Sequence, residues 1–155
     1  MWNNLDISTK SLGLLEFKEK LKEKLKPTRI KHHCYGSKIG NILLSRIRLD
    51  RSDLNLHKFT IGKVDSPQCD CFAKKESSLH YLVDCFLYSN ERQTLYSHVE
   101  HFIPNFKTFN KNRKYEILVF GLHPENNDYC YTNKSISYAV QTYILKTKRF
   151  SEKLK

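Results

Sequence analysis

Three of the five cysteines in this 155-residue chain fall between positions 69 and 85, with one histidine among them: Cys69, Cys71, His80 and Cys85. The pattern is Cys-x-Cys, eight residues, His, four residues, Cys. Thiolate and imidazole are the donors zinc prefers, and four of them close a tetrahedron with no position left for a substrate. Ligands paired closely in sequence also limit the entropy lost in closing the site. The chemistry implied is therefore structural: a zinc ion whose binding supplies folding energy, on the order of 10 kcal/mol for small fingers at neutral pH. The competing reading is three buried thiols, which behave as small hydrophobes, and one core histidine. Cys34 and Cys130 have no histidine at finger spacing and read as ordinary thiols.

Two local elements must position these donors. Asp65-Ser66-Pro67 reads as a turn leading into Cys69. Ser77 or Ser78 can cap a helix carrying Leu79, Tyr81, Leu82 and Val83, with His80 near its start. Five residues of ideal α-helix turn the chain by about 140° beyond a full circle, so His80 and Cys85 would diverge. The helix must loosen before Cys85.

The rest of the chain reads as helices. Ser11 to Lys26 is amphipathic, with Leu14, Phe17, Leu21 and Leu25 on one face and Pro27 ending it. Ser37 to Leu49 has Ile39, Ile42, Leu43 and Ile47 as its apolar stripe, with Arg46, Arg48 and Arg51 near its end. Leu54, Leu56 and Phe59 form a short piece closed by Gly62. A helix over Glu91 to His101 is broken at Phe102-Ile103-Pro104-Asn105, and Asn126-Asn127-Asp128 reads as a loop. Tyr115 to Phe120 fits a strand or a buried helix equally, and Asn133 to Phe150 shows helical spacing. Few glycines and prolines agree with a mainly α fold: a small helical domain stapled by one structural zinc between a turn and a helix. Three segments follow: 1–31, an N-terminal amphipathic helix; 37–101, a zinc-binding core; and 102–155, a basic loop and C-terminal helix.

Lysine and arginine outnumber aspartate and glutamate 27 to 16, a formal net charge of +11. Such a surplus attracts polyanions, and nucleic acid is the default partner. No run approaches the ~18 apolar residues that span a bilayer. The N-terminus lacks the regions of a secretory signal. An intracellular protein of nucleus or cytoplasm, with no membrane partner, is expected.

Around the cysteines the sequence resembles a known family. The residues are Ile42-Leu43-Leu44-Ser45-Arg46-Ile47-Arg48-Leu49, Leu54-Asn55-Leu56-His57 through Ile61-Gly62, Asp65-Ser66-Pro67-Gln68-Cys69, Leu79-His80-Tyr81-Leu82-Val83-Asp84-Cys85, Tyr88 and Arg92. They resemble the C-terminal region of LINE-type (non-long-terminal-repeat) retrotransposon reverse transcriptases. Trp2-Asn3-Asn4-Leu5 with Phe17-Lys18-Glu19-Lys20-Leu21 is similar to the segment after the polymerase in those proteins. Tyr143-Ile144-Leu145-Lys146-Thr147-Lys148-Arg149-Phe150 is similar to their extreme C-terminus. The resemblance implies that the four ligands are the family's CCHC zinc-binding motif, and that the region binds template RNA or target DNA during reverse transcription. Two positions depart from the pattern. Phe72 stands where the family commonly has glycine, and Phe86 where it has proline. The first concerns the turn geometry, not the ligand set.

The chain holds no Tyr/Phe-x-Asp-Asp sequence, no room for a polymerase palm and no carboxylate–histidine set of endonuclease type. It is expected to be non-catalytic, the detached tail of a polymerase as a remnant or a domesticated fragment. Charge by segment refines the picture. From Asp65 to Glu91, two lysines face five acids, a net of −3, and zinc with three thiolates adds about −1. The positive surplus lies on Lys38, Arg46, Arg48, Arg51, Lys58 and Lys63, on Lys107, Lys111, Arg113 and Lys114, and in the last helix. The expectation is that zinc holds the fold while Arg46, Arg48, Arg51, Lys58, Lys107, Lys111, Arg113 and Lys114 meet phosphate. Phe106, Phe109 and Tyr115 are candidates to stack on unpaired bases, with a core role equally open to Tyr115. The competing class is a zinc-stapled protein-interaction module, docking onto a separate reverse transcriptase polymerase domain through the N-terminal helix, or an inert transposon remnant.

Overall fold

The structure is a computed structural model that describes residues 35–122 and 129–150. The helix expected over Ser11 to Lys26, Cys34, the loop at Asn126-Asn127-Asp128 and the last five residues lie outside the described residues. Among the described residues the fold is helical with no strand: α1 (Lys38–Arg48), α2 (Asn55–Thr60), α3 (Ser89–Phe102), α4 (Lys111–Phe120) and α5 (Cys130–Lys146). A π turn (His80–Asp84) and two 3-10 turns join them. None of these helices is long and apolar enough to cross a membrane.

α5 is the central element. Ile136, Val140, Tyr143 and Ile144 are buried along it, and it packs against α1, α3 and α4. Leu44 and Ile47 of α1, Val99 of α3, Val119 of α4 and Val140 of α5 are fully inaccessible. Burying each such side chain contributes about 1.5–3 kcal/mol. One core cluster thus draws on residues from both the 37–101 and the 102–150 segments.

The expected stripe on α1 is rotated. Leu43, Leu44 and Ile47 face inward, whereas Ile39 and Ile42 are each 44% exposed. Gly40 is also buried on the inner face. A Cβ there would lie 2.9 Å from Gln141 Cβ, so glycine permits the close approach of α5 at this point. Counting apolar side chains along the sequence misses an interior position occupied by glycine.

The run Tyr115 to Phe120 is helical, not a strand. Asn110 Oδ1 accepts the Arg113 backbone N–H at 2.8 Å to start α4, and Gly121 at φ +80° ends it. α3 ends at Ile103 and Pro104 as the sequence indicated, with Asn105 in the left-handed region at φ +63°.

Candidate metal centre

The Cys69 and Cys71 arm is a short loop clasped at its base. The Glu76 backbone N–H donates to the Pro67 carbonyl at 2.7 Å, and the Cys69 N–H to the Ala73 carbonyl at 3.0 Å. Within it the Phe72 N–H donates to the Cys69 carbonyl at 2.8 Å, a tight turn that holds Phe72 at φ +66°. This is a left-handed conformation that suits glycine, and here a phenylalanine adopts it with its side chain exposed. The departure from the family pattern therefore sits at the residue whose backbone most favours glycine, and the turn still forms.

The second arm answers the spacing problem. Ser77 Oγ accepts the His80 backbone N–H at 3.1 Å, so Ser77, rather than Ser78, caps this turn. The chain then winds as a π turn, in which the Cys85 N–H reaches back five residues to the His80 carbonyl at 2.8 Å. Hydrogen bonds from i+5 to i return residues five apart to a common side. His80 and Cys85 therefore converge where an α-helix would have separated them.

The four donor atoms, three Sγ and the His80 ring nitrogen, all lie within 4.8 Å of one another. Cys69 Sγ and Cys85 Sγ are 3.7 Å apart, and Cys71 Sγ lies 3.1 Å from His80 Nε2. Bonds of about 2.3 Å in a tetrahedron give a sulphur–sulphur edge of about 3.8 Å. The cysteines are buried free thiols, and these four residues could hold one metal ion.

The ionisable groups of the site shift in different directions. Burial pushes the Cys69 thiol up to about 12 and raises that of Cys85 as well. Burial also opposes ionisation of Cys71, but the Ala73 amide and the neighbouring thiols outweigh it, and its net shift is downward. Burial lowers His80, which favours the neutral imidazole a metal requires. Amide N–H groups of Cys71, Ala73 and Leu87 face the sulphurs of Cys69, Cys71 and Cys85 respectively. Such outer groups orient thiolate ligands, and a bound divalent ion brings coordinating thiols to the thiolate form.

Three residues that support these arms carry no local sequence signal of a ligand. Arg92 of α3 is buried, and its guanidinium donates to the carbonyls of Leu82, at 3.0 Å, and of Cys85. It satisfies the carbonyl end of the π turn. Its signal in the sequence is that Arg92, Leu95 and Val99 form one helical stripe, so a cation occupies a core position. Glu76 is 1% exposed and pairs with Arg149 through both oxygens, at 2.7 and 2.6 Å. Glu76 Oε2 also accepts the Asn55 N–H at 2.7 Å. This pair ties the first arm to α2 and to the C-terminal segment, and it holds the Arg149 guanidinium well above its ordinary range. Tyr81, between ligand His80 and Leu82, is fully buried against Tyr88, Tyr143 and Phe150.

The basic residues singled out by charge are dispersed in their roles. Arg48 Nε–H donates to the Val119 carbonyl at 2.7 Å, so it closes the C-terminal end of α4. Arg46 lies 3.5 Å from Asp53, Lys107 2.6 Å from Glu100, Lys111 2.9 Å from Asp84, and Arg113 3.4 Å from Glu116. Lys114 sits over the Tyr96 ring at 5.4 Å. Arg51 is exposed and Lys58 half-buried, neither in an ion pair among the described residues. Of the three aromatics proposed to stack on bases, Phe106 is fully buried against Tyr96, which removes it as a base platform. Phe109 and Tyr115 are half-buried against the same core.

Comparison with protein-family models, with curated proteins and with solved structures finds no match for this chain.

Proposed function

We propose that the chain is a zinc-stapled nucleic-acid-binding module without catalytic activity of its own. The observation that carries the metal is the convergence of four Cys and His donors within 4.8 Å of one another, on two arms whose bases are clamped by buried ion and hydrogen-bond partners. Cysteine and histidine donors in this ratio suit zinc, and a site with no free ligand position serves structure. The resemblance to the C-terminal CCHC region of LINE-type reverse transcriptases points the same way.

The nucleic-acid reading rests on the formal charge of +11 and on where cations stay unpaired. Arg51, Lys58 and Lys63 cluster in sequence around α2, outside any ion pair among the described residues. Phosphate can engage them without first breaking an internal contact. Arg48 is left out of this set because its Nε–H already serves the Val119 carbonyl. Replacing Arg51, Lys58 and Lys63 together by alanine is expected to weaken binding to a single-stranded oligonucleotide. It should also flatten the plot of log affinity against log salt by about 2, at roughly 0.7 per phosphate contact. An unchanged slope would remove α2 from the interface, and no salt-dependent binding by the parent chain would remove the function.

A further inference from the structure

The rotation of α1 leaves an outer face used by neither the metal centre nor the α2 cations Arg51, Lys58 and Lys63. Ile42 is 44% exposed and Leu49 69% exposed, and both line an open groove of about 630 Å³. Lys38 and Arg46 border the same groove, and among the described residues no acidic side chain lines it. Ile39 of the same helix is also 44% exposed. At 100° per residue, Lys38, Ile42, Ser45 and Leu49 fall within one narrow stripe opposite buried Leu43, Leu44 and Ile47. α1 is thus apolar on both sides, and among the described residues only one side is buried.

We infer that this groove receives an acidic amphipathic helix of a partner protein, its apolar ridge between Ile42 and Leu49 and its carboxylates against Lys38 and Arg46. Three features choose that occupant. Large aliphatic side chains left in water on one face mark an apolar contact, which a phosphate backbone does not supply. The surface is concave, so a ridge of side chains fits it better than a flat bilayer does. Its charge is of one sign, and two copies of this chain facing each other across a two-fold axis would bring like cations together. The exposed ion pair from Arg46 to Asp53, 3.5 Å long, is weak and easily exchanged for a partner carboxylate.

The inference does not depend on nucleic-acid binding. The test uses the full zinc-loaded chain and a labelled synthetic peptide of roughly 20 residues, long enough to form a helix. The peptide carries leucine at every third or fourth position with glutamate alongside, and a control carries lysine in place of glutamate. The acidic peptide should bind and the lysine peptide should not. Leu49→Glu should weaken binding by about tenfold or more, and Arg46→Glu should lose the acidic peptide and gain the lysine one. Both positions are exposed, and unchanged zinc content and melting would show that the variants stay folded. Equal binding of both peptides, or no effect of Leu49→Glu and Arg46→Glu, would overturn the inference. So would finding that the same substitutions abolish self-association, vesicle binding or oligonucleotide binding while the acidic peptide is not bound.

Discussion

Phe72 offers a sharp test of the loop geometry, because here the sequence opposes the backbone it adopts. Its φ of +66° places a bulky residue in the left-handed region, at a cost of roughly 1–2 kcal/mol. The ring is 83% exposed, so it returns little burial energy. Glycine relieves the strain but gives back about 0.5–1 kcal/mol through its freer unfolded chain. The balance is a stabilisation of roughly 0.5–1 kcal/mol for Phe72→Gly, a rise of about 1–4 °C in Tm. Phe72→Ala removes the same ring and keeps the backbone cost, so it should lie within about 0.5 kcal/mol of the parent. Thermal and urea melts followed by circular dichroism on the metal-loaded protein measure both. If Phe72→Gly melts no higher than Phe72→Ala, the ring and not the backbone decides stability at this position, and the reasoning fails.

Two further perturbations probe the supports of the metal arms. Arg149→Leu strands the buried Glu76 carboxylate and should destabilise by about 3–5 kcal/mol in urea melts, with Glu76→Gln in the same chain recovering part of it. No loss in the single variant would show that the pair does not hold the first arm. Arg92→Leu leaves the carbonyls of Leu82 and Cys85 without their donor and should weaken zinc affinity by roughly 10–100-fold in a chelator competition. Unchanged affinity would place Arg92 outside the support of Cys85.

The convergence of Cys69, Cys71, His80 and Cys85 was legible because soft donors at finger spacing are a chemical pattern, and the turn at Pro67 and a serine cap before His80 are local signals. The five-residue gap from His80 to Cys85 even required a loosened helix, and the π turn supplies it. What escaped the sequence is long-range or hidden in small residues. Glu76 and Arg149 lie 73 positions apart, so nothing local joins them. Gly40 has no side chain to count, yet it is buried on the inner face of α1 against Gln141. Charge counts placed Arg48, Lys107 and Lys111 on a phosphate face without showing that a carbonyl, Glu100 and Asp84 already hold them. Phe106 was grouped with neighbouring lysines, while packing against Tyr96 took it inside.

Native mass spectrometry of the full chain, with and without a chelator and paired with circular dichroism, tests the metal centre most directly. One zinc ion per chain, lost on chelation together with helicity, is the expected result. A chain that stays folded and metal-free, with Cys69, Cys71 and Cys85 as free thiols, would contradict the account at its base.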